Sequence, residues 1–559
     1  MKLMLYNFLG LFIWFFITSA CSLQSKSDSG GVGGAVTKIK LNSIGFLPYQ
    51  IKSASISGYC SNFEILDTNG NVVYSGTVIG PVSNPLTSEE IYIADFSELT
   101  NVGVYTLSVS NIGSSYSFRI DENIYYEPYR TAMLGMYLWR CGTNVSASYN
   151  GRSYSHSACH LKDAYLNYIT NSKEKKDGTG GWHDAGDYNK YTVNAGITLG
   201  VLFMAWEHFA SRISNISLDI PEKGNSIPDF LDEMIWEVKW LLKMQYPDGS
   251  GRISHKISTL NFGGFIMPEN ETTTRYYVPW GSAATADFVA MMAMASRILQ
   301  PYNSTLASNC IEAAKKSYSF LTNNPSYTKA DQSGFSTGEY ETDDSDDRLW
   351  AAAEMWETLG DAVYLNDFEK RANSASAKID KSFDWGNVKN LGMFTYLLSS
   401  RTGKNSTLFG TISNALISVA NEIVSNSQSN PYRRPLGTSY FWGCNGTVAR
   451  QTMILQIANK FSPDTNYINT ALDALGYLFG RNYFCRSFVT GVGYNPPKNP
   501  HDRRSVASGS AWPGYLVGGG WPTETSWQDD SDRYDLNEIA INWNAALIYA
   551  LAGFVTNQP

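Results

Sequence analysis

Most of this chain follows a helical repeat of hydrophobicity, and that repeat limits the folds open to it. From about Glu127 onward, segments with an apolar residue every three to four positions alternate with Gly-, Asn- and Ser-rich loops. The segments lie at 128–140, 192–212, 227–246, 281–299, 305–323, 346–359, 366–382, 409–425, 446–461, 468–480 and 538–554. No short unit recurs, which argues against a solenoid. The pattern predicts one large all-α domain, with loops gathered at one face to form a cleft.

Residues 36–122 have a different pattern, typical of an all-β domain. Short alternating runs such as Phe63–Leu66 and Gly103–Val109 are separated by turn residues, among them Asn69-Gly70. This spacing predicts a small β-sandwich that precedes a helical domain at 127–559. Nothing in the sandwich segment suggests catalysis.

The N-terminus has the composition of an export signal. Lys2 is followed by an apolar run, Leu9 to Ile17, that is too short to span a bilayer. Residues 1–21 end in Thr-Ser-Ala-Cys and resemble a bacterial lipoprotein signal, in which Cys21 becomes the lipidated first residue. Thr18 departs from the usual Leu, and a soluble secreted protein is the alternative. Residues 22–35 would be a flexible tether.

Charge and cysteine content exclude several classes of function. The net charge is -8 and no run of Lys or Arg is long enough to suggest a phosphate-binding surface, so we expect no nucleic-acid partner. The six cysteines after Cys21 are scattered and do not make a disulfide framework. Aromatic residues make up 14% of the chain, which suits stacking against sugar rings as well as a large core.

The stretch Gly180–Tyr191, here called the acidic turn, is the first candidate site. Asp184 and Asp187 lie three residues apart in a Gly-rich turn between aromatic residues. Small neighbours leave room for a water molecule or a sugar ring beside the two carboxylates. A third carboxylate from a distant part of the chain would complete a hydrolytic centre.

Two C-terminal stretches offer further polar groups. In Trp527–Ala545, an acidic and aromatic loop leads to Asn537 as a helix N-cap, and Glu538 is predicted to begin the last helix. A helix-start Glu stabilised by the helix dipole is the alternative interpretation. In Ser487–Arg504, a Pro-rich loop carries His501 and Arg503, which can bind sugar hydroxyls or orient a carboxylate. A surface Arg beside a capping His is the alternative there.

Together the three stretches resemble glycoside hydrolase family 9, the inverting β-glucanases. The acidic turn resembles the family's Asp-Ala-Gly-Asp motif, and the two C-terminal stretches resemble its His/Arg and C-terminal signatures. Segments at 442–445 and 513–519 also resemble the family. The likeness implies an (α/α)6 barrel for 127–559. It also implies the immunoglobulin-like module of one family branch for 36–122.

The resemblance assigns a role to each candidate residue. Glu538 would be the general acid and Asp187 the general base on water, with Asp184 helping to hold that water. His501, Arg503 and Tyr534 would bind the sugar next to the scissile bond.

One requirement follows for Glu538. Because a helix N-terminus lowers a Glu pKa, burial and the charges of Asp184, Asp187 and Asp529 would have to raise the pKa of Glu538 above that of a free Glu.

The sequence departs from the family pattern in two loops. In the loop Ser487–Arg504, Asp502 stands where the family often has His, which leaves the details of sugar binding open. A second departure at 519–524 affects the shape of the cleft.

Two metal sites are expected. Cys141, Cys159, His160 and His183 match a structural zinc site of the immunoglobulin-bearing branch, and such a ligand set suits tetrahedral zinc. Buried free thiols and ordinary histidines are the alternative. Clustered carboxylates suit calcium, and the family's pattern implies Asp343, Asp346 and Asp347 with Asp384. Helix capping by Asp is the alternative. No organic cofactor is expected.

The sequence thus predicts a monomeric, exported endo-β-1,4-glucanase acting on cellulose, mixed-linkage glucan or xyloglucan. A lipid anchor would hold it to the membrane of a bacterial cell envelope, at the outer-membrane surface; otherwise it would be secreted. One alternative is an exo-acting β-glucosidase or glucosaminidase. Another is a glycan-binding surface protein without catalysis, against which the presence of all three carboxylates argues.

Overall fold

The structure is a computed structural model, and it describes residues 37–162, 164–165 and 173–556. The predicted signal at 1–21 with Cys21 and the tether at 22–35 lie outside the described residues. From Thr37 onward the chain forms one compact unit. That unit contains a β-sandwich followed by a helical barrel, as the sequence predicted.

The sandwich is a strongly folded antiparallel sheet. Its strands are β1 (Ile39–Lys40), β2 (Ser53–Ser57), β3 (Asn62–Leu66), β4 (Val72–Asn84), β5 (Glu89–Asp95), β6 (Gly103–Val109), β7 (Gly113–Ser114) and β8 (Phe118–Ile120). They are ordered β1-β2-β5-β4-β3-β6-β7, with β8 paired to β6. The long β4 pairs with β3 along its first half and with β5 from Val78 onward, and the pairing with β5 shifts register between Ile79 and Val82. This change of partner folds the sheet into two layers around an apolar core.

Short strands follow among the loops near the acidic turn. They are β9 (Val145–Tyr149), β10 (Arg152–His156), β11 (Ala164–Tyr165), β12 (Lys175–Lys176), β13 (Lys190–Tyr191), β14 (Lys256–Ser258) and β15 (Tyr276–Tyr277). The end of the acidic turn is β13, which pairs with β14 in a small mixed sheet. The turn is therefore tied to the loops that follow α3 (Asp229–Met244).

Six inner and six outer helices build the barrel. The inner helices are α2 (Thr192–Ile213), α4 (Ser282–Leu299), α6 (Ser345–Leu359), α8 (Lys389–Leu398), α10 (Cys444–Phe461) and α14 (Ile541–Ala552). The outer helices are α1 (Tyr126–Leu138), α3, α5 (Ser304–Asn323), α7 (Ala362–Ser374), α9 (Ser406–Ser429) and α11 (Thr465–Leu478). Two short helices, α12 (Arg503–Ser508) and α13 (Tyr534–Asn537), and a 3-10 turn at Pro268–Asn270 lie in the loops.

Burial separates the two rings of helices. Every residue of α14 is buried, as are nearly all residues of α4, whereas α5, α7 and α9 bury a single stripe each. Apolar side chains all round a helix require neighbours on every side, and an apolar stripe requires neighbours on one side only. Contacts between α14 and α2 join the end of the ring to its beginning. The last helix is thereby placed beside the acidic turn.

Between residues 366 and 398, one predicted helix has the wrong end and one helix was missed. The predicted helix at 366–382 ends at Ser374, because Ser376 and Ala377 take left-handed backbone angles and turn the chain. The helix α8 was not predicted. It contains Gly392, where an added Cβ would lie 2.9 Å from the backbone of Trp350, so α8 and α6 pack closely at that point.

Candidate active site

The acidic turn is anchored to α3 by buried carboxylates. The Trp182 main-chain N–H donates to Glu237 Oε2 at 2.6 Å, and its indole N–H donates to Glu233 Oε1 at 2.7 Å. The turn is closed by a hydrogen bond from the Asp184 N–H to the Asn189 carbonyl at 3.1 Å. These bonds hold the turn in one conformation before any substrate arrives.

Asp184 is buried and fully engaged. Its Oδ1 accepts from Asn194 Nδ2 and its Oδ2 from the Tyr340 hydroxyl, both at 2.7 Å. Its carbonyl accepts from the Ile541 N–H at 2.9 Å, at the start of α14. Burial and the neighbouring charge of Asp187 raise the pKa of Asp184 to about 8. Asp184 thus connects three parts of the barrel and lies next to a second carboxylate.

Asp187 has one occupied and one available oxygen. Its Oδ2 accepts from Asn189 Nδ2 at 2.7 Å and from the Tyr191 hydroxyl at 3.1 Å. Among the described residues no hydrogen bond reaches its Oδ1. A carboxylate held by one oxygen presents the other to a water molecule in a fixed direction.

Glu538 does not begin the last helix, so that prediction was wrong. It lies in extended conformation between α13 and α14, and α14 begins three residues later at Ile541. Glu538 forms a parallel bridge with His501, and its carbonyl accepts from the Gly518 N–H at 2.9 Å. Asn537 caps no helix; its Nδ2 donates to the Asn499 carbonyl at 2.6 Å instead.

The new position of Glu538 removes the conflict with the helix dipole. Burial and the charges of Asp187 and Asp184 raise the pKa of Glu538 well above its usual range, although Arg503 opposes them. The direction agrees with the prediction. Asp529 is not among the main causes of this shift; its carboxylate is bound by Arg486 at 3.0 Å and by main-chain N–H groups of the loop before His501.

A glycine brings the acidic turn against the strand of Glu538. A Cβ added at Gly186 would lie 2.3 Å from the His501 carbonyl oxygen, a distance that no side chain tolerates. The Gly186 carbonyl also accepts from the Arg503 N–H at 3.2 Å. This contact places the two distant segments side by side.

The predicted sugar-binding residues lie around Glu538. The His501 Nδ1 donates to the Ser531 carbonyl at 2.6 Å, which leaves Nε2 for a ligand. Arg503 donates from Nε and Nη2 to the Gly263 carbonyl at 3.2 and 3.0 Å. Tyr534 is 53% exposed, and its ring centroid lies 6.0 Å from that of His501.

Asp502, the departure from the family loop, does not face a substrate. It is fully buried and caps α12, accepting from the Arg504 and Ser505 N–H groups. It also forms a buried ion pair with Arg504 at 3.0 Å. Its role is to fix the helix that follows His501.

All three carboxylates line one cavity of about 480 Å³. Its walls also carry six aromatic side chains, together with further acidic and small residues: Tyr191, Phe262, Tyr340, Trp385, Trp442 and Trp543 are the aromatic ones. Acidic groups at the base of an aromatic cavity suit a polyhydroxylated ligand with flat apolar faces.

The predicted zinc ligands come together. Ligand atoms of Cys141, Cys159, His160 and His183 all lie within 4.8 Å of one another. Sulfur and nitrogen bound to one tetrahedral zinc would be about 3.6 Å apart. The observed separations are 3.5 Å for Cys141 Sγ to His160 Nδ1 and 3.6 Å for Cys159 Sγ to His183 Nε2. The donor set therefore fits zinc.

Among the described residues, the predicted calcium ligands form no group of three or more that is close enough to hold one ion. In the part of the chain that the structure describes, the Cys/His group is the one cluster of three or more candidate ligands close enough to hold a metal. Asp384 lines the cavity instead, paired with Arg450 and accepting from Asn542 Nδ2 at 2.8 Å. Asp346 accepts from the Val388 N–H at 2.5 Å, and Asp343 from the Ser345 N–H at 2.8 Å.

Both domains of the chain match known families. Residues 125–551 match the model for glycosyl hydrolase family 9, and residues 35–114 match that for the cellulase N-terminal ig-like domain. The chain belongs to glycoside hydrolase family 9. The family resemblance, the immunoglobulin-like sandwich, the barrel and the expectation of an enzyme are thereby confirmed.

Individual family 9 proteins are similar over most of their length. Endoglucanase D of Acetivibrio thermocellus is 62% identical over 527 residues, covering 94% of this chain and 84% of the relative. A xyloglucan-specific endo-beta-1,4-glucanase of Bacteroides ovatus is 30% identical, covering 91% of this chain and 92% of the relative. The crystal structure of a metagenome-derived family 9 endoglucanase superimposes with a TM-score of 0.87 at 31% identity, covering 93% of this chain and 99% of that one.

Several residues of this family 9 site were missed in the sequence. Asn194 and Tyr340 bind Asp184, and Trp385 lines the cavity. Glu271, whose Oε2 lies 3.1 Å from His160 Nε2, orients one of the predicted zinc ligands. Each is a single residue in a loop or helix start with no local motif, so only the folded contacts identify it.

Proposed function

We propose that this family 9 enzyme cleaves internal β-1,4-glucosidic bonds of β-glucans with inversion. The observation that carries the proposal is one cavity holding three carboxyl groups with unlike surroundings. Glu538 retains its proton because it is buried beside other carboxylates, while Asp187 offers a free oxygen. Such a pair can supply a proton and activate water on opposite faces of a sugar.

In this mechanism each residue acts on a stated atom. Glu538 gives its proton to the glycosidic oxygen as the bond to the anomeric carbon breaks. Asp187 takes a proton from a water that attacks the opposite ring face, and Asp184 orients that water. His501 Nε2 and Arg503 bind hydroxyls of the adjoining sugar, and Tyr534 supports its ring.

The similarity to Endoglucanase D supports endo cleavage of a glucan, and the similarity to the xyloglucan-specific relative makes xyloglucan a candidate substrate. The test follows viscosity and reducing ends together during hydrolysis of a soluble mixed-linkage β-glucan. Rapid loss of viscosity with few new reducing ends supports endo cleavage. Release of glucose alone, with viscosity maintained, would favour an exo-acting enzyme. Absence of both would favour a non-catalytic glycan-binding protein.

For the Cys/His cluster we propose a structural zinc ion. Cys141, Cys159, His160 and His183 would fill four coordination positions, so the ion would stabilise the fold and leave no open position for a substrate. Because His183 precedes Asp184 directly, these ligands hold the first carboxylate of the acidic turn.

We also propose that the mature protein is a monomer attached through Cys21 to the outer-membrane surface of a bacterial cell. The support is the sequence around Cys21 and the Gly- and Ser-rich residues 22–35. Mass spectrometry of the exported protein, with Cys21→Ala as control, would detect the lipid. An unmodified, freely secreted wild-type protein would overturn this proposal.

A further inference from the structure

A short loop beside the catalytic cavity exposes large apolar side chains. Phe262, Phe265 and Ile266 are 50%, 37% and 38% exposed and lie within five consecutive residues. We call Phe262–Ile266 the aromatic rim. Apolar side chains clustered on a rigid surface next to a site mark a place where a ligand covers them.

The rim is continuous with the catalytic cavity. Phe262 lines the cavity that holds the three carboxylates, and the Arg503 guanidinium carbon lies 5.6 Å from its ring centroid. Phe265 contacts His501 edge to face, with ring centroids 5.4 Å apart. A chain bound in the cavity and extending past His501 would therefore meet both rings.

Polar anchors hold the rim in place on both sides. The Gly263 carbonyl accepts from Arg503, and the Ile266 carbonyl accepts from the Tyr188 hydroxyl at 2.6 Å. At the start of the loop, the Thr259 N–H donates to Asn189 Oδ1 at 3.0 Å. Tyr188 and Asn189 belong to the acidic turn, so the rim and the carboxylates share one frame.

A fourth anchor reaches the Cys/His cluster. Glu271 ends the loop with its Oε2 on His160, and a Cβ at Gly263 would lie 2.4 Å from Glu271 Oε1. Gly263 thus lets the chain fold over Glu271, while Phe262 and Phe265 on either side are partly exposed. The rings are fixed in advance, and binding to them orders little additional structure.

We propose that Phe262 and Phe265 form a stacking subsite for a pyranose ring of the β-glucan chain, beyond the sugars at the scissile bond. The inference rests on the proposed function for its ligand. The two axial faces of a β-linked glucosyl unit carry C–H groups, which pack against aromatic rings. The subsite would favour long chains over short ones.

The test compares cellohexaose with 2,4-dinitrophenyl β-cellobioside, whose two sugars leave outer subsites empty. In Phe262→Ala/Phe265→Ala, we expect the ratio of kcat/KM for cellohexaose to that for the aryl cellobioside to fall about tenfold. Phe265→Tyr should keep the wild-type ratio, because it retains the ring. Tyr49→Ala, which removes a 79% exposed ring from the sandwich, is the matched control and should not change it.

The subsite would be overturned if the double variant kept the ratio of kcat/KM for cellohexaose to that for the aryl cellobioside within twofold of wild type. Calorimetric binding of cellohexaose to Glu538→Gln, with and without the two Phe substitutions, gives a readout independent of hydrolysis. If wild-type protein binds but does not cleave cellohexaose, the proposed function fails while the subsite is still tested. Equal affinity in the presence and absence of both rings would reject the subsite alone.

Discussion

The two residues assigned to proton transfer differ in what surrounds their oxygens. Burial and the charges of Asp187 and Asp184 raise the pKa of Glu538 well above its usual range, whereas Asp187 is held through Oδ2 by Asn189 and Tyr191. Two carboxyl groups in one site can act as acid and base because different surroundings give them different pKa values. The difference can be tested one residue at a time.

Glu538→Gln removes the proton donor and preserves its shape. We expect kcat on cellotetraose to fall by about 10²- to 10⁴-fold. Hydrolysis of 2,4-dinitrophenyl β-cellobioside should fall far less, because its leaving group needs no proton. Asp187→Asn is the matched control and should slow both substrates alike. Equal losses on both substrates in Glu538→Gln would contradict the role of general acid.

The pH profile of kcat/KM should show the raised pKa of Glu538. A general acid is active while protonated, so activity is lost as the pH rises through its pKa. Because burial and neighbouring charges raise that pKa, we expect the alkaline limb well above about 4.3, the value for free Glu. Initial rates on a soluble glucan across the pH range measure it. An alkaline limb at or below the free value would count against the assignment.

At the scale of elements, the site depends on close contact between segments far apart in the chain. In Gly186→Ala the new Cβ would meet the His501 carbonyl and push the acidic turn away from the strand of Glu538. We expect kcat to fall at least about tenfold, because small misplacements of catalytic groups are costly. Gly410→Ala on α9, with open space around it, is the control and should be neutral or stabilising. Wild-type kcat in Gly186→Ala would show that the contact is dispensable.

The Cys/His cluster should hold one zinc ion that stabilises the acidic turn. Cys159→Ser should lower the zinc content measured by elemental analysis and lower Tm, because a four-ligand site loses one thiolate. Cys310→Ala removes a buried thiol outside the cluster and should retain the metal. Full zinc occupancy in Cys159→Ser would exclude Cys159 as a ligand.

Sequence patterns predicted best the helices that are buried either along one face or over their whole surface. The long apolar run of α2 and the stripe of α3 were both predicted close to their observed bounds. The strand β2 was not predicted. Its serines face the barrel, where the Ser55 hydroxyl donates to the Pro431 carbonyl at 2.7 Å, so both faces of this short strand of small residues are buried. Glu538 was misplaced because the break between α13 and α14 depends on contacts with His501 and Gly518.

For the whole molecule, buried hydrogen bonds from Arg481 join the barrel to the sandwich. Arg481 donates to Ser53 Oγ at 2.6 Å and to Ser55 Oγ at 2.9 Å, and pairs with Asp473 at 2.9 Å. No local pattern predicted this interface, since its partners are more than 400 residues apart. The residues of the active site were more predictable, because they lie in contiguous sequence motifs. Only the structure shows how these motifs are arranged in space.

Arg481→Met should destabilise the whole protein. It would leave Asp473 buried without its partner and two hydroxyls without a donor, at a cost of about 3–5 kcal/mol. Calorimetry should show a lower Tm, with the sandwich and barrel transitions moving apart. Arg119→Met, which removes an exposed ion pair on the sandwich, is the control and should change Tm little. An unchanged Tm in Arg481→Met would mean that the interface contributes little to stability.

Inversion, with Glu538 and Asp187 acting on opposite faces of one sugar, can be read directly from the first product. We would record proton NMR of the anomeric signals during the first minutes of cellotetraose hydrolysis by the wild-type enzyme. We expect the α-anomer to appear first at the newly formed reducing end and the β-anomer to grow in only by mutarotation. Initial formation of the β-anomer would mean retention and would rule out these roles for Glu538 and Asp187.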